Sequence, residues 1–360
     1  MTHLSDVLLS LFPIPTLLRM GAGGLEISEH SVKYLFLSHK GGARRINMYG
    51  NTDLPEGIVD DGEIKDVAAL AQVLKGLLKE GVPQHVHVSL PEQKGYIFRM
   101  KVPRTADLSI REAVEFRIEE YVPLPPSDVV FDAEIIEGES TQSEYTLNVT
   151  AFPRMTVEAY YETLAGAGYT PLSFEIESQA AARAVIERAD QETRMIVDFG
   201  ETRTAIAVVQ GGVVRFTTSL ELAGGSLASA LKAAGITADI ERVKNEEGVV
   251  AGGKASGALM PIISNLKDEI QRHFVYWHTH GEAAGSLHAP IASVILCGGN
   301  GNLRGLPEYL SQALRVPVAR ASVWQNAFAL TEYVPSISAN QSLRYATVTG
   351  LALRGGIECS

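Results

Sequence analysis

Apolar and polar positions alternate along this chain with two periods, and the switches between them mark out its elements. Gly24-Leu-Glu-Ile-Ser-Glu-His-Ser-Val-Lys-Tyr-Leu-Phe-Leu37 reads as strand, turn, strand. Ile64, Val67, Ala68, Ala71, Leu74 and Leu78 recur at helical spacing, and Gly81 with Pro83 stops that helix. Val86, Val88 and Leu90 alternate with His85, His87 and Ser89, which predicts a half-buried strand carrying the histidines on its polar face. Another strand is expected over 96–102. Ser109 and Glu112 form a capping box that opens a helix, and Tyr121-Val-Pro-Leu-Pro-Pro126 ends it, because prolines cannot continue it. Strands at 129–136 and 145–152, a helix from Pro153 to about 167, a strand at 169–176 and an Ala-rich helix at 178–188 follow.

At Met195 the pattern restarts. Met195-Ile-Val-Asp-Phe-Gly-Glu-Thr-Arg-Thr-Ala-Ile-Ala-Val-Val209 is again strand, polar turn, strand, followed by a strand over 213–220 and by Gly224-Gly-Ser226 opening a helix. A polar, Gly-rich stretch covers 234–256 with a helix over 240–247, and a long helix spans about 259–278. The apolar strand 291–296 runs into Cys297-Gly-Gly-Asn-Gly301, then come a helix over 306–314, a strand over 316–319 and a final helix over 343–353. A strand–turn–strand opening repeated at 24 and 195 predicts a duplicated two-lobe α/β architecture, each lobe a mixed sheet flanked by helices.

Length and composition narrow the function classes. A chain of 360 residues that is 46% hydrophobic and 20% charged has material for two cores. Its net charge of -11 and lack of a dense Lys/Arg run argue against nucleic acid as a partner. The only two cysteines, Cys297 and Cys359, imply no disulfide framework and a reducing compartment. No stretch is long and apolar enough to predict a membrane span. The apolar start, Val7-Leu-Leu-Ser-Leu-Phe-Pro-Ile-Pro-Thr-Leu-Leu18, is broken by Pro13 and Pro15 and lacks a basic flank and cleavage site, so it is not a signal peptide. It reads either as a packed tail or as a membrane-surface or partner-docking segment.

Four segments carry candidate chemistry. They are the turn inside 24–33, the turn at 198–204, Glu241-Arg-Val-Lys244 and Gly298-Gly-Asn-Gly301. Gly200 permits a tight turn and close approach of a ligand to the backbone, Thr202 and Thr204 offer hydroxyls beside it, and Asp198 can hold a metal-bound water. Glu241 can accept from ribose hydroxyls while the Lys244 stem covers a base. Exposed amides around Gly298, Gly299 and Asn300 suit oxygen anions or a flat ring. Singly, each has an ordinary structural alternative: a hairpin turn, a surface helix, a strand-to-helix turn.

In this order the segments resemble the PilM family, the actin-like protein of type IV pilus assembly and a relative of the cell-division protein FtsA. The resemblance is carried by 24–33, Val88-Ser-Leu-Pro91, Glu115-Phe-Arg-Ile-Glu-Glu-Tyr-Val-Pro-Leu-Pro125, Asp198-Phe-Gly200, Ser219-Leu-Glu-Leu-Ala-Gly-Gly225, 266–276, Leu296-Cys-Gly-Gly-Asn300 and Tyr345-Ala-Thr-Val-Thr-Gly-Leu-Ala-Leu-Arg354. It implies an actin-like ATPase fold of four subdomains: a tail over 1–20; 1A over 21–85 with 153–190 and 335–360; 1C over 86–152; 2A over 191–233 with 280–334; and 2B over 234–279. It implies ATP with Mg²⁺ between the lobes. Ser28, Ser31, Lys33, Thr202 and Thr204 would hold phosphates, Asp198 the metal through water, Glu241 and Lys244 the nucleoside, and Gly298, Gly299 and Asn300 adenine and ribose. Glu177 stands where such proteins orient the attacking water. It further implies an N-terminal cytoplasmic peptide of a PilN-like inner-membrane protein docked between 1A and 1C, near Val88, Leu90, Tyr96, Phe116, Tyr121 and Pro123. Pilus assembly ATPases are a further partner class, and a cytoplasmic position at the inner face of the membrane follows. The type II secretion counterpart continues into a transmembrane segment, so the pilus protein is the expected match.

The chain also departs from the family. Where the family has Asp-Ile-Gly-Ser-Ser-Ser, this chain has Glu26-Ile-Ser-Glu-His-Ser31, with Ser28 for the glycine and Glu29 bringing negative charge to the phosphates. Lys33 reads equally as a phosphate partner or a strand lysine, and Glu177, without the usual following proline, equally as a helix N-terminal carboxylate. Slow or absent hydrolysis is therefore the expectation. Two alternatives stand beside an ATP-binding scaffold: a scaffold without nucleotide, and a sugar-kinase-like phosphotransferase, which would need an acceptor pocket with a catalytic Asp.

Overall fold

The computed structural model describes residues 22–40, 43–104, 109–222, 224–237, 239–250, 252–279 and 288–354. The apolar N-terminal tail and Cys359 lie outside the described residues. The chain begins with β1 (Gly23–Ile27) and β2 (Ser31–Lys40), which pair antiparallel, and β3 (Ala43–Asp53), which pairs antiparallel with β2. A short hairpin, β4 (Val59–Asp60) and β5 (Glu63–Ile64), leads to α1 (Val67–Lys79), whose Asp66 cap accepts from the Ala69 amide at 2.9 Å. Leu70, Leu74 and Leu77 form its buried face. β6 (His85–Leu90) then runs parallel to β1.

A separate small unit follows. It contains β7 (Tyr96–Pro103), α2 (Ile110–Glu115), β8 (Val129–Ile135) and β9 (Glu144–Pro153), in a sheet of order β7-β9-β8 with its own core of Met100, Val114, Ile118, Leu147 and Val149. The expected capping box is present at the start of α2. α3 (Arg154–Ala167), β10 (Thr170–Ile176) and α4 (Glu177–Val185) return the chain to the first lobe, where β10 pairs parallel with β6.

The second lobe repeats the plan. β11 (Thr193–Phe199), β12 (Thr204–Gln210) and β13 (Val213–Leu220) form an antiparallel meander. α5 (Gly224–Ala233), α6 (Ile240–Glu246) and α7 (Lys254–Thr279) precede β14 (Ile291–Cys297), which is parallel to β11. α8 (Leu306–Leu314) and β15 (Val318–Arg320) complete the lobe, and α9 (Ala339–Ser342) and α10 (Ala346–Arg354) close the chain. The two five-stranded sheets, β10-β6-β1-β2-β3 and β15-β14-β11-β12-β13, are superposable in order and direction, as the repeated opening predicts.

Between the lobes, α4 and α10 share a core with both sheets: Leu35, Ala182, Val185, Ile196, Val209, Trp324, Phe328 and Val348 meet there. The helices touch backbone to backbone, because a Cβ on Gly350 would stand 1.7 Å from the Ala180 carbonyl oxygen. The small unit reaches the second lobe through Glu139, which pairs with Arg99 of β7 and, at 2.6 Å, with Arg215 of β13.

Two expectations are corrected, and one strand is added. β6 is not half-buried: it lies between β1 and β10 with Val88, Leu90, His87 and Ser89 all inside, and His87 Nδ1 lies 2.7 Å from Ser173 Oγ. The small unit therefore begins after β6, near Tyr96, and not at 86. β3, to which the sequence pattern assigns nothing, is an eleven-residue edge strand.

Candidate functional site

The duplicated plan brings two hairpin turns, β1–β2 and β11–β12, to opposite walls of one cleft of about 620 Å³. Its lining includes Ser28, Glu29, Ser31, Lys33, Glu177, Asp198, Gly200, Thr202, Glu241, Lys244, Gly298, Gly299 and Asn300. Most residues singled out from sequence thus converge from five separated stretches of chain.

The first turn is closed on itself. The Ser28 amide donates to the Ser31 carbonyl at 2.9 Å, the Ser31 amide to Ser28 Oγ at 3.2 Å, and the two hydroxyl oxygens stand 3.1 Å apart. Lys33, two residues into β2, places Nζ 2.5 Å from Glu26 Oε1 on β1, its cross-strand partner.

The second turn is tight at Gly200, whose amide donates to the Arg203 carbonyl at 3.0 Å. Asp198, at the end of β11, packs against the β14 turn, where Gly298 adopts φ 76° and a Cβ would stand 2.4 Å from Asp198 Oδ1. Asn300 ties the same turn to the hairpin by donating from Nδ2 to the Gly200 carbonyl at 2.8 Å. On the far wall Lys244, nearly buried, pairs with Glu241 at 2.6 Å, and Glu241 also meets Arg344 at 3.4 Å.

Carboxylates outnumber cations at the base. Glu92, in the turn after β6, accepts from the Ser178 amide at 2.9 Å at the start of α4 and from the Thr217 hydroxyl of β13. Burial raises its pKa against those two hydrogen bonds. Burial, then the Glu26 charge, lifts Asp198 to about 7, with Lys33 pulling it back. Burial and the neighbouring Glu26, Glu92 and Asp198 hold Glu177 well above the ordinary carboxyl range. Burial works against the Lys33 ammonium, but the Glu26 charge and hydrogen bond, aided by Asp198 and Glu177, raise it overall.

Thr204 does not join the site. It is fully buried in β12, its hydroxyl donates to the Leu222 carbonyl at 2.5 Å, and it is absent from the cleft wall; strand alternation turns it away from the side on which Ala205 and Ala207 line the cleft. Val88 and Leu90 are likewise core residues of β6, which removes them from any peptide groove. Of the remaining groove residues, Tyr96 is half-buried and Pro123 exposed, Tyr121 stacks on Phe98 at 4.4 Å, and Phe116 is 79% exposed at the end of α2. Sequence reasoning passed over Glu92, Arg203 and Arg344. Only Arg203 carried a signal, lying between the two threonines of the second turn.

Residues 24–356 match the model of the family described as type IV pilus assembly protein PilM. Among solved structures, the chain is similar to a PilM–PilN type IV pilus biogenesis complex, with TM-score 0.76, 24% identity and coverage of 94% of this chain and 99% of the other. It is similar to the ethanolamine utilization protein EutJ of Carboxydothermus hydrogenoformans, with TM-score 0.54, 16% identity and coverage of 95% and 91%. MreB5 of Spiroplasma citri bound to ADP gives TM-score 0.54, 14% identity and coverage of 94% and 99%. These likenesses give the fold, that of the actin-like ATPases. With a family match running through both lobes and the small unit between them, the chain belongs to the PilM family of type IV pilus assembly proteins.

Proposed function

We propose that this chain is a nucleotide-responsive scaffold of type IV pilus assembly. In this reading it holds ATP with Mg²⁺ in the cleft and the N-terminal cytoplasmic peptide of a PilN-like inner-membrane protein at the small unit. That partner would keep it at the inner face of the cytoplasmic membrane. Among the described residues no helix is long and apolar enough to cross a membrane.

The observation that carries the nucleotide reading is the convergence of two hairpin turns, Lys33 and Asp198 on one cleft whose volume is ordinary for a small-molecule site. The charge balance fits the pair of ligands better than either alone. Glu26, Asp198 and Glu177 all act on the charge of Lys33, so a bare polyphosphate at the cleft base would meet carboxyl groups whose repulsion a divalent cation relieves. Among the described residues no three His, Cys, Asp or Glu side chains are grouped to hold a metal by themselves. Asp198 would hold Mg²⁺ through water beside the phosphates. When bound, Mg²⁺ would neutralise phosphate charge. Lys33 would contact the phosphates, Gly298 would let a ligand approach the backbone, and Glu241 and Lys244 would meet the nucleoside. Burial and the neighbouring carboxylates disfavour the ionised form of Glu177 that a general base needs, which supports slow or absent hydrolysis.

Calorimetric titration of ATP and Mg²⁺ into wild-type protein and Asp198→Ala tests this. Saturable binding lost in the variant supports it. No binding to folded, nucleotide-free protein would overturn it. The nucleotide-free scaffold would then stand, a reading favoured by one feature: the Ser28 and Ser31 hydroxyls satisfy each other and Glu29 sits in their turn. Titration of the PilN-like N-terminal peptide into the same protein tests the partner half independently.

A further inference from the structure

Arg203 is the cleft residue that neither turn accounts for. It sits in the second hairpin turn, yet its side chain crosses to the first lobe. Nη2 lies 2.6 Å from Asp61 Oδ1, and Nε lies 3.5 Å from Glu29 Oε1 in the first turn. Asp61 is already served by Lys94 at 3.0 Å and is half exposed, so it does not depend on Arg203. The Glu29 contact is an ion pair without hydrogen-bond geometry, and Arg203 Nε is buried with no hydrogen-bond partner among the described residues. A buried guanidinium N–H in that condition calls for a nearer, better-directed oxygen.

Both residues line the cleft, one on each phosphate-facing turn. A guanidinium presents a planar fork that matches a phosphate in two hydrogen bonds, whereas the Glu29 carboxylate reaches it at only one long contact. Glu29 is also the residue that makes the first turn unfavourable to an anion. The two oddities explain each other if the carboxylate and a phosphate are alternatives for one cation.

We infer that Arg203 is a phosphate-binding residue of the cleft and that Glu29 competes with the terminal phosphates of a nucleoside polyphosphate for it. This rests on the nucleotide reading of the cleft. The competition discriminates by phosphate number: a triphosphate displaces Glu29, and a monophosphate does not reach the pair. The site is thereby tuned to weak, readily reversible binding, because every triphosphate must break the Glu29–Arg203 contact before gaining its own.

The test is calorimetric titration of ATP, ADP and AMP, each with Mg²⁺, into full-length wild type, Glu29→Gln, Arg203→Gln and Arg203→Lys. Glu29→Gln should tighten ATP by about tenfold, ADP less and AMP not at all. Arg203→Gln should weaken ATP by about tenfold and leave AMP unchanged, with Arg203→Lys between it and wild type. In a fifth protein carrying both Glu29→Gln and Arg203→Gln, the gain from Glu29→Gln should vanish, since it acts through Arg203. Unchanged or weaker ATP binding by Glu29→Gln, or equal loss of AMP and ATP affinity in Arg203→Gln, would overturn the inference while leaving the cleft a nucleotide site. If no variant binds any nucleotide while the partner peptide still binds, both fall together. Thermal midpoints close to wild type establish that each variant is folded.

Discussion

Asp198→Asn should make the ligand-free protein more stable while removing its nucleotide binding. The Asp198 carboxyl is lifted to about 7 from an ordinary 3.8, by burial and then by the Glu26 charge. A raised carboxyl pKa means that the folded state binds the proton more tightly than the unfolded one, so stability is lost as the pH rises. The loss begins near pH 4, where the unfolded chain ionises, grows to about pH 7 and is constant above it. Its ceiling is about 4 kcal/mol, three pH decades at 1.36 kcal/mol each. The carboxyl is half-buried and faces the cleft, so solvent screening reduces this to about 2 kcal/mol. Asparagine keeps the shape beside Gly298 and carries no charge. At pH 8 its thermal midpoint should exceed wild type by roughly 4 °C, and the difference should shrink towards zero as the pH falls to 4. Scanning calorimetry without nucleotide across that range is the assay, with ATP–Mg²⁺ titration on the same samples. A variant less stable than wild type at pH 8, or a difference independent of pH, would refute the electrostatic account of the cleft base.

Three further outcomes are expected. Thr204→Val should leave nucleotide affinity near wild type but lower stability by about 1 kcal/mol in urea unfolding, since it removes the hydroxyl bonded to the part-buried Leu222 carbonyl. Gly350→Ala should lower the thermal midpoint by several degrees, at a cost of about 1–3 kcal/mol, because its methyl would collide with the Ala180 carbonyl at 1.7 Å. Phe116→Ala should change unfolding free energy by less than about 0.5 kcal/mol and weaken the partner peptide in a calorimetric titration, because that ring is exposed. Equal losses of stability and peptide affinity in Phe116→Ala would place the ring in the fold rather than the interface.

The hairpins were legible because each joins two strongly apolar strands across a short polar turn, and α2 because its capping box is a purely local signal. β3 was not, since it lies at a sheet edge: only one side faces the core, and Gly50 and Asn51 dilute its alternation. His87 and Ser89 misled because alternation marks a solvent face only where one face meets solvent, and β6 is covered on both by distant chain. The site divides in the same way. Asp198, Gly200 and Gly298 follow from backbone demands of turns, which are local. The burial of Thr204 and the reach of Arg203 to Asp61, 142 positions away, depend on packing between segments that no local pattern encodes.

The contact of Gly350 with the Ala180 carbonyl has a mechanical consequence. At Gly350 the two helices meet with no side chain between them to compress, so that point of the junction resists sliding and acts as a pivot. Lobe motion about it becomes rotation that opens or closes the cleft. Arg203 and Glu29 stand on opposite sides of the cleft, one on each lobe's hairpin turn. Rotation of one lobe against the other would stretch that ion pair together with the Arg203–Asp61 and Thr217–Glu92 contacts, so those bonds and the hinge act on one motion.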